Sequence, residues 1–261
     1  MTQLPNDQHT PKASDDGSLT VYSRKFDQHF HSPKGAIMES RHVFFEEPGL
    51  LIDLQKRSHL KIAETGFGTG LNLLLLAEYI ENLNCSLKID YYAVEGYPIS
   101  AELADKLNYH HHLDHASALP RLSDVFADLK PGINKKQITD CITLTLFIGT
   151  FEEWQLPDKS IDYFFHDPFS IEVNPDGWTV ELFSKLMKAA EYHATLTTYS
   201  AAVKARAAMA SAGWQVASAP GALSKREMTI ASPDAFQLKG FKLVNNAKLR
   251  QRYDEEFSRQ A

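Results

Sequence analysis

One stretch, Ile62-Ala63-Glu64-Thr65-Gly66-Phe67-Gly68-Thr69-Gly70-Leu71-Asn72, restricts the folds open to this chain more than any other. A short apolar run ends on an acid, glycines alternate through a turn, and Leu71 to Ala77 reads as the start of a helix. Glycine tolerates positive φ and has no Cβ, so a strand-turn-helix unit of this kind lets backbone approach a ligand closely. In a dinucleotide-binding turn the amides and the helix N-terminus face a pyrophosphate. Glu64, immediately before the turn, would repel that group. It would attract a cation instead, such as the amino group on the methionine part of S-adenosylmethionine (SAM). Glu95, closing the next expected strand, would then accept from two ribose hydroxyls. The plain alternative is a Gly-rich turn that only packs a helix on a sheet.

Around that unit, strand and helix periods alternate. Strands are expected at Lys61 to Glu64, Lys88 to Glu95, Ile142 to Ile148, Ile161 to His166, His193 to Tyr199, Trp214 to Ser218 and Glu227 to Ala231. Helices are expected at Pro48 to Lys56, Leu71 to Glu81, Ser100 to Leu107, Val180 to Ala190 and Ala201 to Ala212. The alternation implies an α/β fold, a mostly parallel sheet flanked by helices, with an antiparallel end where the last two strands are closely linked. The organisation that follows is a polar, disordered tail over 1–17 and an N-terminal extension over 18–56. A main domain covers 57–232 with a loop-rich insertion near 108–140, and a basic segment covers 233–261. The aromatics of the extension, Tyr22, Phe26 and Phe30, read as core.

The tail lacks a hydrophobic signal core and no apolar run reaches membrane-spanning length, so the expectation is a cytoplasmic protein without membrane contact. Cys85 and Cys141 are far apart and read as reduced structural thiols. His111 and His115 have helical i, i+4 spacing within the His110–His115 cluster, but no second ligand cluster accompanies them, and no metal is expected. The net charge of -6 hides an asymmetry. From Phe183 to Ala261 there are 12 Lys and Arg against 6 Asp and Glu, a local excess that can steer a polyanion or simply solvate a surface.

A second constellation, Asp167-Pro168-Phe169-Ser170, follows the strand expected at Ile161 to His166. Ligands of a parallel sheet sit beyond the carboxyl ends of its strands, so Asp167 should share a crevice with Gly66 and Gly68. An alkyl amine is protonated near neutral pH and cannot attack until it loses a proton. A carboxylate at this place can orient the amine and help remove that proton, while Phe169 offers a face to a base. The bland reading is an Asp capping a turn. Trp178 reads as core. Lys225 and Arg226, beside a Gly-containing loop, are candidates for phosphate contact or ordinary solvated charges.

Taken in order, Tyr22-Ser23-Arg24-Lys25-Phe26-Asp27, Glu39-Ser40-Arg41-His42-Val43-Phe44, Ala63 to Asn72, Val94-Glu95-Gly96-Tyr97-Pro98, Asp167-Pro168-Phe169-Ser170, Asn174 to Thr179 and Lys225-Arg226-Glu227-Met228 resemble the methyltransferase domain of the MnmC tRNA-modification family. The resemblance runs from about Tyr22 to Ala231. It implies a class I, Rossmann-like SAM-dependent methyltransferase that converts 5-aminomethyl-2-thiouridine at the tRNA wobble position to its 5-methylaminomethyl form. By matching position it implies Glu64, Thr65, Gly66, Gly68, Gly70, Asn72 and Glu95 at the cofactor, and Asp167 as the catalytic acid near the amine. Phe169, Lys225 and Arg226 fall on the substrate side, with the tRNA anticodon region as partner. Beyond the resemblance, the basic run Lys239 to Arg259 is expected, from its charge, as a helix that docks the anticodon stem. The family's Gly-Asp after its third strand is Gly149-Thr150 here, with Glu152 as the alternative acid, and Pro168 and Ile171 also depart from the pattern. No second Gly-rich βαβ unit follows Ala231, so no FAD oxidase domain is expected and a stand-alone form is implied. The alternatives are methyl transfer to another amine and an inactive SAM- or tRNA-binding module.

Overall fold

The computed structural model describes residues 9–83 and 87–257, so the first eight residues of the expected tail and Cys85 lie outside the described residues. A three-stranded antiparallel sheet comes first: β1 (His9–Ala13), β2 (Leu19–Ser23) and β3 (Gln28–His29). α1 (Ala36–Ser40) runs on through a wider helical turn at Arg41–Glu46, and α2 (Leu50–Lys56) leads into the main sheet. There β4 (His59–Thr65), α3 (Leu71–Leu83), β5 (Lys88–Glu95) and α4 (Ala101–Asp105) follow in order. Next come α5 (Leu122–Phe126), β6 (Gly132–Gln137), β7 (Ile142–Ile148) and β8 (Ile161–His166). The chain closes with α6 (Val180–Ala189), β9 (Ala190–Thr198), α7 (Val203–Ser211), β10 (Gln215–Pro220), β11 (Glu227–Ser232), β12 (Lys242–Leu243) and α8 (Asn246–Arg252).

The main sheet has the order β12-β10-β11-β9-β8-β4-β5-β7-β6. Its central strands β9, β8, β4, β5 and β7 are parallel, and both flanks are antiparallel. Central parallel strands need apolar residues on both faces, because helices cover both. β4 and β8 supply them by alternation. Ile62 and Phe165 join the core under α2 and α3, while Ala63 and Phe164 join the core of Trp178, Phe183 and Trp214 under α6 and α7. The pairing Thr65↔His166 aligns the carboxyl ends of these two strands, and ligand sites of open α/β sheets lie at such ends.

Two expectations are corrected here. Residues 9–13 of the tail are a strand, not disorder. The turn that folds them onto β2 is closed by Asp16, whose Oδ1 accepts from Ser14 Oγ (2.7 Å) and Ser18 N (3.0 Å). The insertion near 108–140 is also less loop-like than expected, since it holds α5 and the edge strand β6, paired antiparallel with β7. β6 alternates half-buried and exposed residues and carries Asn134, Lys135, Lys136 and Gln137, a polar composition that suits a sheet edge and hides the strand signal. At the other end, α8 packs on α7 beside β10, four positions along the sheet from β4.

The N-terminal extension is tied to the main domain by partly buried polar contacts. Arg41 Nη2 meets Glu78 Oε2 at 2.7 Å, and Glu78 Oε1 also accepts from Asp114 N, so α3 anchors both the extension and the insertion. Gln28 exchanges two hydrogen bonds with Ser170, and His31 Nε2 lies 2.8 Å from Thr69 Oγ1. No helix among the described residues is long and apolar enough to cross a membrane.

Candidate active site

The loop after β4 and the loop after β8 touch at Gly66. Its φ of +81° is one that L side chains rarely adopt, and a Cβ there would stand 2.8 Å from Asp167 O and 3.0 Å from Pro168 Cα. Glycine is therefore what allows the two strand ends to close on each other. Gly66 N and Phe67 N both donate to Val94 O, which draws the end of β5 into the same place. Gly68 N then donates to Glu95 Oε2 (2.8 Å), and Tyr97 N donates to Glu95 Oε1 (2.7 Å). Burial raises the Glu95 carboxyl above its ordinary range, against backbone hydrogen bonds from Tyr97, Gly68 and Gly96 that favour the anion.

These loops border a cavity of about 870 Å³. Of the residues named from sequence, Gly66, Gly68, Glu95, Asp167 and Phe169 line it. Glu64, Thr65, Gly70 and Asn72 do not. Glu64 is 1% exposed and lies behind the turn, where its two oxygens accept from Asn72 Nδ2 (2.7 Å) and Tyr91 OH (2.9 Å). Thr65 Oγ1 is 2.7 Å from His166 Nδ1, and Gly70 backs onto Leu122 and Phe67. Asn72 Nδ2 spans from Glu64 to Asp167 Oδ2, the latter at 3.5 Å. The result is a chain, Glu64 to Asn72 to Asp167, whose first two members are buried and whose last reaches the cavity.

A second cavity of about 260 Å³ lies across the Asp167–Phe169 wall and shares Phe30, His31, Asp167, Pro168 and Phe169 with the first. Lys225 borders it and Arg226 borders neither cavity. Phe26 and Phe30, expected in the core, instead pack on Phe169 at the cavity wall, Phe26 stacked at 4.5 Å and Phe30 edge-on at 4.9 Å. Periodic aromatics look alike whether they fill a core or wall a cleft. Trp178 is core as expected, and its Nε1 also fixes the Phe169 carbonyl at 2.8 Å. Thr150 and Glu152 both border the main cavity, so an acid does stand on the wall where Gly149-Thr150 departs from the family pattern. Sequence reasoning missed Lys185, whose Nζ donates to the carbonyls of Phe151, Glu152 and Trp154 and pins that wall. Among the described residues no group of three or more His, Cys, Asp or Glu is arranged to hold a metal ion.

Comparison with known proteins places this geometry in a family. A family profile described as S-adenosyl-L-methionine-dependent methyltransferase matches residues 115–234. The "tRNA 5-methylaminomethyl-2-thiouridine biosynthesis bifunctional protein MnmC" of Cupriavidus metallidurans is 34% identical over 227 residues, covering 85% of this chain and 33% of that protein. The protein of the same name from Ralstonia nicotianae is 35% identical over 235 residues, covering 85% and 34%. The chain belongs to the MnmC-type methyltransferases. It spans about a third of the length of the curated relatives it matches. The crystal structure of MnmC2 from Aquifex aeolicus shares the fold, with a TM-score of 0.68 and 22% identity, covering 87% of this chain and 70% of that one.

The cavity suits the cofactor of a SAM-dependent methyltransferase. Its volume falls in the range of about 300–1,000 Å³ typical of small-molecule sites. Gly66 and Gly68 leave bare backbone on one side of it. Five acids border it, Glu95, Glu152, Asp167, Asp176 and Glu181, against Lys25 and Lys185, a balance that favours a ligand carrying sulfonium and ammonium charge. Two carboxyls near its floor are held above their ordinary range. Burial is the main cause at Asp167, reinforced by the nearby Glu64 and Glu39 and opposed by Lys225 and Asn72. Burial likewise pushes Glu64 up to about 8, against the hydrogen bonds from Asn72 and Tyr91. His31, half-buried between the cavities, is pushed down to about 4 by desolvation and stays neutral at physiological pH.

Proposed function

We propose that this chain methylates the primary amine of 5-aminomethyl-2-thiouridine at the wobble position of tRNA, giving the 5-methylaminomethyl nucleoside named in its relatives. The observation that carries the reading is Asp167, a half-buried carboxyl set against the Gly66 turn at the boundary between a large acidic cavity and a small aromatic one.

In this reading Gly66, Gly68 and Glu95 would hold SAM, with Glu152 as the acid available to its adenine amino group. When bound, SAM supplies an electrophilic methyl group with a good leaving group already attached. The protein's task is then positioning and proton removal. An alkyl ammonium of pKa near 10 has no lone pair to offer. Asp167 accepts its proton, and a carboxylate whose pKa is raised by burial does so more readily than an exposed one. Lys225, whose charge lowers the Asp167 pKa, keeps the carboxylate available. Phe26, Phe30 and Phe169 close the wall and exclude water. Glu64 touches neither reactant and acts through Asn72, which it orients toward Asp167.

The test is incubation of the protein with SAM and tRNA from cells that lack this methylation, followed by mass spectrometry of the nucleosides. Conversion of the aminomethyl to the methylaminomethyl form is expected. Transfer to free amines but to no tRNA would replace this acceptor with another amine.

A further inference from the structure

The small cavity behind Phe169 has an ion pair in its wall that the reaction above does not use. Lys225 Nζ lies 2.6 Å from Glu39 Oε1 and 4.6 Å from the centre of the Tyr199 ring. Glu39 is the inner member, 12% exposed against 41% for the lysine, and its Oε2 accepts from Ser32 N. Tyr199 is itself fixed, its hydroxyl donating to Pro168 O at 2.9 Å. The cavity therefore presents aromatic surface from Phe30, Phe169 and Tyr199, a carboxyl at Asp167, and one donor beside one acceptor at Glu39 and Lys225.

Those features match a particular chemistry. The Watson–Crick edge of a uracil sets the O4 acceptor next to the N3–H donor, and a cytosine reverses the order with a donor at N4 and an acceptor at N3. Single-stranded bases are read by stacking on aromatic rings and by hydrogen bonds to these edges. With the C5 side of the ring toward Asp167, so that the lysine meets position 4 and the glutamate position 3, the pair complements uracil and not cytosine.

Resting on the amine-methylation reading above, we propose that this cavity receives the uracil ring. Lys225 donates to O4 and Glu39 accepts from N3–H, which directs the 5-aminomethyl group to Asp167. The ion pair is thus a specificity determinant for the base. His29 Nδ1, a buried atom without a hydrogen-bond partner among the described residues, borders the same cavity and offers one more polar atom to the ring.

The test uses anticodon stem-loops carrying 5-aminomethyluridine or 5-aminomethylcytidine, with kcat/KM and SAM binding measured for three full-length proteins. The unaltered protein should favour the uridine loop. Lys225→Met should cut the uridine-over-cytidine preference in kcat/KM by about 10- to 100-fold, the range for loss of one base-edge contact, with SAM affinity unchanged; any effect of the lysine on Asp167 falls on both loops alike. The double exchange Glu39→Lys with Lys225→Glu keeps an ion pair but reverses donor and acceptor. It should lose uridine and gain cytidine, an outcome that a merely structural pair would not give. Wild-type preference in the exchange protein, or an undiminished uridine preference in Lys225→Met, overturns the proposal while leaving amine methylation intact. Should the exchange protein fail to bind SAM, the Lys225→Met result decides alone. No methyl transfer by the unaltered protein to either loop overturns both readings together.

Discussion

Replacing Gly66 by alanine tests whether the convergence of two strand ends depends on a missing side chain. Two costs are separable. At φ +81° an L residue pays roughly 1–2 kcal/mol for the left-handed backbone alone. The added Cβ would also lie 2.8 Å from Asp167 O and 3.0 Å from Pro168 Cα, backbone atoms that cannot rotate away. Overlaps of that kind typically cost about 1–3 kcal/mol more. The sum, about 2–5 kcal/mol, corresponds to a fall in Tm of roughly 4–20 °C at the 2–4 °C per kcal/mol of a chain of this size. Gly49 is the internal control: its φ is +74° and a Cβ there meets nothing within 4 Å. Gly49→Ala should therefore show the backbone cost alone and leave SAM binding untouched. Thermal unfolding and SAM titration of the two variants measure the difference. A Gly66→Ala protein as stable as Gly49→Ala, with undiminished SAM affinity, would refute the close-approach argument.

Two further outcomes are expected. Glu64 is raised from 4.5 to about 8 on folding, so its contribution is fully present below pH 4.5 and is lost as pH rises through 8. At 1.36 kcal/mol per unit the loss amounts to at most about 5 kcal/mol. The stability of Glu64→Gln relative to the parent, measured by chemical denaturation, should accordingly improve steadily between pH 5 and 8, and a difference flat with pH would contradict the raised carboxyl. Lys185→Met removes three contacts, at 2.8, 2.5 and 3.0 Å, that pin the Phe151–Trp154 wall of the cavity. SAM affinity measured by calorimetry should fall about tenfold, the scale of one charge-assisted hydrogen bond, and undiminished affinity would contradict the role of the wall.

Much of the scaffold was legible from residue pattern. The central strands β5, β7 and β8 are apolar runs that are punctuated by acids or turn residues, and their limits match the expected ones. The meeting of Gly66 with Asp167 was also legible, because any parallel sheet gathers its carboxyl ends on one side. What escaped was information carried by depth and by partners. Glu64 and Glu95 both end strands, but only Glu95 borders the cavity, since the Gly66–Gly70 turn passes in front of Glu64 and Tyr91 and Asn72 cover it. Phe26 and Phe30 have the spacing of core residues and became wall residues because Phe169 stands opposite them. β1 contains Pro11 and Lys12 and has no apolar alternation, so only its pairing with β2 reveals it. The excess of basic residues from Phe183 to Ala261 is accounted for in part by internal contacts. Arg206 reaches Thr229, Glu227 and the Met228 carbonyl, and Arg250 reaches the Ala210 carbonyl, so charge counted along the chain overstates what is free to meet a polyanion.

The account turns on Asp167 taking a proton from an amine delivered to a donor held at the Gly66 turn. Single-turnover methyl transfer by Asp167→Asn, followed on a 5-aminomethyl-2-thiouridine stem-loop alongside SAM binding, tests this most directly. The rate should drop by about 100- to 10,000-fold, the usual contribution of a general base, with SAM bound as tightly as by the parent. A variant that binds SAM normally and transfers methyl groups at the parental rate would contradict it.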